Sequence, residues 1–201
     1  RCGGRPGHNV GQRHGGENRE EGTEEVNDPA QSHQALNRAM LEAVDFVHAE
    51  GWDAQPTLFG LVPSRLLADQ VADVEEAPLT LVVQEGLPEG ITPGSGELLD
   101  YLGRIAWPGE VAGAVLAQEI VFRDSSAGAE SETYRARLFS GVLRSGTELT
   151  LLQRRPTEAE LADRGPFAED EIDLRGGPGV APGVIALLRQ GLEQDPTFGE
   201  G

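Results

Sequence analysis

The chain has few of the side chains that carry nucleophilic, metal or proton-transfer chemistry. Its only cysteine is Cys2, and its four histidines end at His48. A single cysteine gives no disulfide framework, and no His/Cys set in the body of the chain has the spacing of a zinc site. A Ser/His/Asp arrangement would have to use His48, and no Gly-x-Ser-x-Gly elbow is present. Lysine is absent, so every basic residue is arginine. With abundant Ala, Gly and Pro, that bias reads as the codon usage of a GC-rich genome. No apolar run approaches the roughly 20 residues of a membrane-spanning helix. The N-terminus also lacks the apolar core of a signal peptide. The expectation is a cytoplasmic protein with no membrane partner.

What is abundant is negative charge. The formal net charge is −18. Residues 1–30 hold four Arg and six acids, which leaves −16 for the rest. A phosphate backbone is repelled by such a field unless a basic patch overcomes it. The one basic cluster is Arg154-Arg155, with Arg135, Arg137 and Arg144 nearby, and it reads as ordinary solvated strand positions.

Residues 1–30 contain only Val10 and Val26 as sizeable aliphatics. They read as a disordered tail, because so little apolar surface cannot offset the entropy of ordering. Residues 31–194 read as one domain, and 195–201 as a frayed C-terminus. Leu36, Ala39, Met40, Ala43, Val44 and Val47 follow helical spacing, which predicts a helix over 32–50, capped by Ser32 and stopped by Gly51. His48, in its last turn, suits the helix dipole, a structural role. Residues 57–62 and 79–84 predict strands. A short helix is expected over 65–72, with Leu66 and Leu67 inward. Ser95 caps a helix over 97–105, ended by Trp107-Pro108. A long strand is expected over 111–123. A hairpin follows, with strands 134–143 and 147–154 joined through Arg144-Ser145-Gly146 and one face half polar. Residues 156–173 carry seven acids and read as a mobile loop with a short helix near 158–162. The last helix opens at Ala181-Pro182. This order predicts an α+β fold: a single domain with a mixed or antiparallel sheet of about five strands and helices packed mainly on one face.

Gly176-Gly177-Pro178-Gly179 precedes a helix but lacks the Gly-Lys-Ser/Thr ending of a phosphate loop, and reads as helix entry. Acids are more informative. Asp53 sits beside Trp52, Glu85 follows the second strand, and Glu119 lies inside the third. A strand carboxylate among Ala117, Ile120 and Val121 is either desolvated, with a raised pKa, or turned to solvent or paired with an Arg such as Arg137. Each Trp lies at a helix end, where it anchors a core edge or marks a binding surface. Candidate binding residues are therefore Trp52, Asp53, Glu85, Trp107 and Glu119. No catalytic residue, cofactor or metal ligand is assigned.

Several separated blocks, in order, carry a family resemblance. They are Gly51-Trp52-Asp53 with Pro56 and Leu58-Phe59; Leu79-Thr80 with Gln84-Glu85 and Leu87-Pro88; Ile105-Ala106-Trp107-Pro108 with Val111-Ala112-Gly113 and Glu119; Gly141-Val142-Leu143-Arg144-Ser145-Gly146; and Gly177-Pro178 through Pro182-Gly183. Over residues 33–192 the chain resembles an uncharacterised family of small actinobacterial cytoplasmic proteins. That family usually has Asp where this chain has Ser145. The resemblance implies a bacterial origin and carries over no activity, cofactor, partner or catalytic residue.

The leading expectation is a non-enzymatic, acidic binding or adaptor module acting through protein contacts, as monomer or homodimer. The alternative is a small-molecule-binding protein or weak hydrolase using Asp53, Glu85 or Glu119 near the two tryptophans. The charge generates a first test. At about 150 mM salt the protein should show none of the submicromolar DNA or RNA binding that specific readers reach, as measured by fluorescence anisotropy with labelled oligonucleotides.

Overall fold

The computed structural model describes residues 28–67, 77–123, 132–165, 167, 171–176 and 180–194. The expectations for residues 1–27, for 195–201, for the loop 124–131, for most of the 65–72 helix and for Gly177 to Gly179 lie outside the described residues. Among the described residues, ten helices and strands build the fold. Four are α-helices: α1 (His33–Glu50), α2 (Gly96–Arg104), α3 (Glu158–Arg164) and α4 (Pro182–Glu193). Six are strands: β1 (Thr57–Pro63), β2 (Leu79–Val83), β3 (Gly113–Arg123), β4 (Thr133–Leu143), β5 (Glu148–Arg154) and β6 (Leu174–Gly176). All neighbours in the sheet are antiparallel, in the order β2-β1-β3-β4-β5-β6. The fold is a single α+β domain with an open antiparallel sheet.

The helices divide between the two faces. On one, Leu36, Met40, Val44 and Val47 of α1 pack on Phe59, Val115, Phe139 and Leu143. On the other, Leu98 and Leu102 of α2 and Val184, Leu188 and Leu192 of α4 pack on Leu58, Ala114, Leu116 and Val142. The alternation along β3 and β4 forces this division. Both strands are buried on both sides over Gly113–Ala117 and Leu138–Leu143, and all but Ser140 are apolar or glycine, so a single helical layer would leave one face wet. Each such side chain, fully buried, contributes about 1.5–3 kcal/mol.

The caps are as the sequence suggests. The Ser32 hydroxyl accepts from the Ala35 amide at 3.1 Å, and the Ser95 hydroxyl from Leu98 at 3.2 Å. Gly51 ends α1 at a φ of 91°. Three local readings change, while the short helix expected near 158–162 is kept as α3. Pro29 and Ala30, assigned to the tail, open the 3₁₀ turn Pro29–Gln31, with Ala30 buried and its cap Asp28 paired to Arg65 at 3.0 Å. Ser64–Leu67 is a 3₁₀ turn with Leu66 52% exposed, because Ser64 and not Leu66 turns inward. Within the acidic loop, α3 starts on a complete capping box between Thr157 and Glu160, and β6 adds a sixth strand. The Arg154 guanidinium, 2.7 Å from Glu160, and the Thr157 amide hold the Glu160 carboxyl at about 2.

Two residues bind the α4 layer to the sheet. Trp107 is 4% exposed, and its ring lies between Gly60 of β1 and Gly191 of α4. A Cβ on Gly60 would stand 3.1 Å from the indole, and one on Gly191 also 3.1 Å. Arg144, after β4, donates to the carbonyls of Val111, Trp107, Pro108 and Leu192. It fastens the C-terminal end of α4 to the loop before β3, where a cation also suits the helix dipole. A different glycine sets the tightest strand contact. A Cβ on Gly113 would lie 2.6 Å from both Leu143 Cδ2 and the Val142 carbonyl oxygen, whereas one on Gly141 would meet the flexible Met40 thioether at 2.5 Å. Backbone cannot yield as a Met side chain does. Gly113→Ala should therefore destabilise by about 1–3 kcal/mol, and by more than Gly141→Ala, as read by urea unfolding of the two variants.

Candidate functional site

Beyond Phe139, the face under α1 turns polar. Register sets the order: Glu119 of β3 stands opposite Arg137 of β4, Arg137 opposite Gln153 of β5, and Val121 opposite Arg135. Arg137 is fully buried. A guanidinium has donors only, and each acceptor here is neutral. Nη1 donates to Gln153 Oε1 at 3.1 Å, and Nη2 donates to the Gly51 carbonyl at the end of α1. The Trp52 ring lies 3.9 Å from the guanidinium carbon. No acid forms an ion pair with Arg137 among the described residues. Its charge is balanced by the negative end of α1, by the indole face and by Glu119 at longer range. Burial still pulls its pKa below the usual arginine value. Its Nε is buried and has no hydrogen-bond partner among the described residues, and Arg137 lines a cavity of about 10 Å³ with Val47, Ala54, Ala117 and Glu119.

Because Gln153 Oε1 accepts from Arg137, its amide nitrogen is the donor toward His48 Nδ1, 3.0 Å away. Neutral His48 therefore carries its proton on Nε2. The role is structural, as expected, but it runs through this hydrogen bond and not through a positive charge on the helix dipole.

Asp53 has a φ of 65°, a left-handed conformation that Asp tolerates better than most residues. The turn aims two successive amides at one point. Asp53 N and Ala54 N donate to Glu119 Oε1 at 2.6 and 3.2 Å. Glu119 thus neither simply faces solvent nor pairs with Arg137; it closes a small backbone nest. The Asp53 carboxylate takes Arg155 bidentately at 3.0 and 3.2 Å, and Arg135 at 3.2 Å. The Arg155 hydrogen bond, helped by the charge of Arg135, holds its pKa below the usual carboxylate value. Arg155 also reaches the Trp52 ring, at 5.3 Å.

Beside this cluster opens a groove of about 550 Å³, lined by Asp53, Ala54, Pro93, Gly94, Glu119–Val121 and Arg135. Of the candidates from sequence, Trp52, Asp53 and Glu119 come together here. Glu85 stands exposed after β2 and does not line the groove. Trp107 lies in the α2/α4 cluster on the opposite face. Sequence reasoning took Arg135, Arg137 and Arg155 for ordinary solvated strand positions, which the burial of Arg137 corrects, and it passed over Gln153. The signal was present: Arg135 and Arg137 are two apart, on the face that continues into Phe139. Among the described residues no cluster of His, Cys, Asp and Glu could hold a metal ion, and no helix is long and apolar enough to cross a membrane.

Residues 36–193 match the family described as PPA1309-like protein. The chain belongs to that family. No curated protein and no solved structure matches it. The match takes in α1 from Leu36 to the end of α4, so this PPA1309-like domain contains the whole Trp52–Arg137 cluster.

Arg137→Lys tests the cluster. An ammonium cannot span Gly51 and Gln153 while stacking on Trp52 as a planar fork does. The variant should lose about 1–3 kcal/mol, the cost of leaving a buried acceptor unmet. Guanidinium unfolding monitored by Trp emission checks this.

Proposed function

We propose that the protein is a non-enzymatic binding module that takes an extended polypeptide segment along the open edge of β3. The observation that carries this is a mismatch of strand lengths. β1 pairs β3 only over Gly113–Ala117, while β4 pairs all of Gly113–Arg123. β3 therefore runs on from Gln118 to Arg123 without β1 beside it. The pairing pattern gives the direction of its peptide groups. Ser64 N bonds Pro78 O and Gln84 N bonds Leu58 O, so even residues of β1 bond β2 and its odd residues bond β3. Odd residues of β3 accordingly face the β1 side. Past Ala117, the amides and carbonyls of Glu119, Val121 and Arg123 point away from β4, and Glu119 and Val121 line the groove. Such an edge is a template for an added strand. Val121 is 65% exposed at its centre.

One observation favours the alternative of a small-molecule-binding protein or weak hydrolase. Asp53, Glu119 and Trp52 meet beside a groove within the 300–1,000 Å³ range of ligand sites. The state of the carboxylates argues against the hydrolase. Asp53 is held ionised by two arginines, and Glu119 Oε1 accepts two amide hydrogens. Asp53, so paired, is not a desolvated acid poised to give or take a proton, and Glu119 has one oxygen committed to two backbone amides. Glu85 and Trp107 lie elsewhere.

Val121→Pro separates the readings. Proline at 121 removes an amide that points out of the sheet and leaves the β3–β4 ladder intact, which edge strands tolerate. Peptides enriched by display on the immobilised wild-type protein should bind it and fail, by tenfold or more, on Val121→Pro of comparable melting temperature. Equal binding by the two proteins would sink strand addition.

A further inference from the structure

We infer that the segment fitting the β3 edge is the same edge of a second copy, so that two chains join through antiparallel β3 strands about a two-fold axis at Val121. This rests on the strand-addition reading and names its occupant. The sequence of the edge is Glu119-Ile120-Val121-Phe122-Arg123. Read against itself in antiparallel register about Val121, it is its own complement. Val121 meets Val121, Glu119 meets Arg123, and on the other face Ile120 meets Phe122. The two neighbouring two-fold registers put Val121 opposite Arg123 or opposite Glu119, and lose the charge pairs. Opposite charges and apolar pairs directly across a ladder are the favourable cross-strand contacts.

The backbone has the right phase. Glu119, Val121 and Arg123 are the residues whose amides and carbonyls face outward, so pairing centred on Val121 forms about six interchain hydrogen bonds. The side chains are also available. Arg123 is exposed and has no ion pair among the described residues. Glu119 uses Oε1 for the Asp53 and Ala54 amides, which leaves Oε2 free to receive Arg123 of the second copy. Asp53, on the same groove wall, is already held by Arg155 and Arg135, so Glu119 alone receives the incoming arginine. The joined edges make an isologous interface, and the sheet becomes continuous through both chains. A five-residue edge is smaller than a standard interface, so the dimer is weak and reversible.

Sedimentation equilibrium of the full chain tests this, from about 1 µM to about 1 mM at about 150 mM salt, where the Debye length is about 8 Å. The expected result is a monomer–dimer equilibrium with a dissociation constant on the order of 100 µM. Val121→Pro and Arg123→Glu should each weaken it at least tenfold with the melting temperature unchanged. In a Cys2→Ser background, Val121→Cys should form disulfide-linked dimers under mild oxidation, and Val82→Cys on the β2 edge should not. A chain that stays monomeric throughout, or a dimer indifferent to both edge variants, overturns the proposal. If the chain is monomeric yet Val121→Pro still loses display-selected peptides, the second copy is overturned and strand addition stands. If neither assay responds to Val121→Pro, both fall.

Discussion

A buried cation without an ion-paired acid organises the polar half of the α1 face. Leaving the Arg137 guanidinium unsolvated would cost several kcal/mol, so its surroundings must supply acceptors and negative potential. They come from places far apart in sequence. The end of α1 offers the Gly51 carbonyl, β5 offers Gln153, and the turn after α1 lays Trp52 over the charge. Once Gly51 and Trp52 are fixed, the next residue has little freedom. Asp53 adopts its left-handed conformation, and its amide and that of Ala54 converge on Glu119. The groove wall beside β3 is the outer surface of that chain of constraints.

How far this was legible in the sequence differs by level. Leu36 to Val47 announce α1 by their spacing, and Ser32, Ser95 and Gly51 mark ends that the structure keeps. The hairpin at Arg144-Ser145-Gly146 is equally plain. Division of the helices between two faces was harder to see. It depends on Leu138, Ser140 and Val142 being as buried as Phe139 and Leu143, and alternation cannot distinguish a covered second face from a wet one when the residues are small. The Thr157-x-x-Glu160 capping box was written in the chain but hidden by the acidity around it. Arg137 was legible only as a type. In sequence it looks like Arg135, and what separates them is three-dimensional: α1 ends over one and not over the other.

Membership of the PPA1309-like family sets the frame without naming a partner. The binding reading therefore stands on strand geometry. It needs an edge whose hydrogen-bonding groups point outward, flanked by walls that select what pairs with it. Here the walls carry both signs, Asp53 and Glu119 against Arg135. That is an unusual patch on a chain of net charge −18. Around it the excess of acidic residues sets a negative field at long range, against which this mixed patch stands out.

Arg144 has a consequence for the order in which the molecule is made. Its guanidinium needs the Leu192 carbonyl, and Trp107 donates its amide to Gly191 at 2.9 Å. Both acceptors lie in the last turn of α4. On the ribosome, α1 and the strands it covers emerge well before them, and that face can condense early. The opposite face stays without its lid until residues 182–193 have left the exit tunnel. Throughout that interval Leu58, Leu116 and Val142 have only α2 and Trp107 on their side, without Val184, Leu188 and Leu192 of α4.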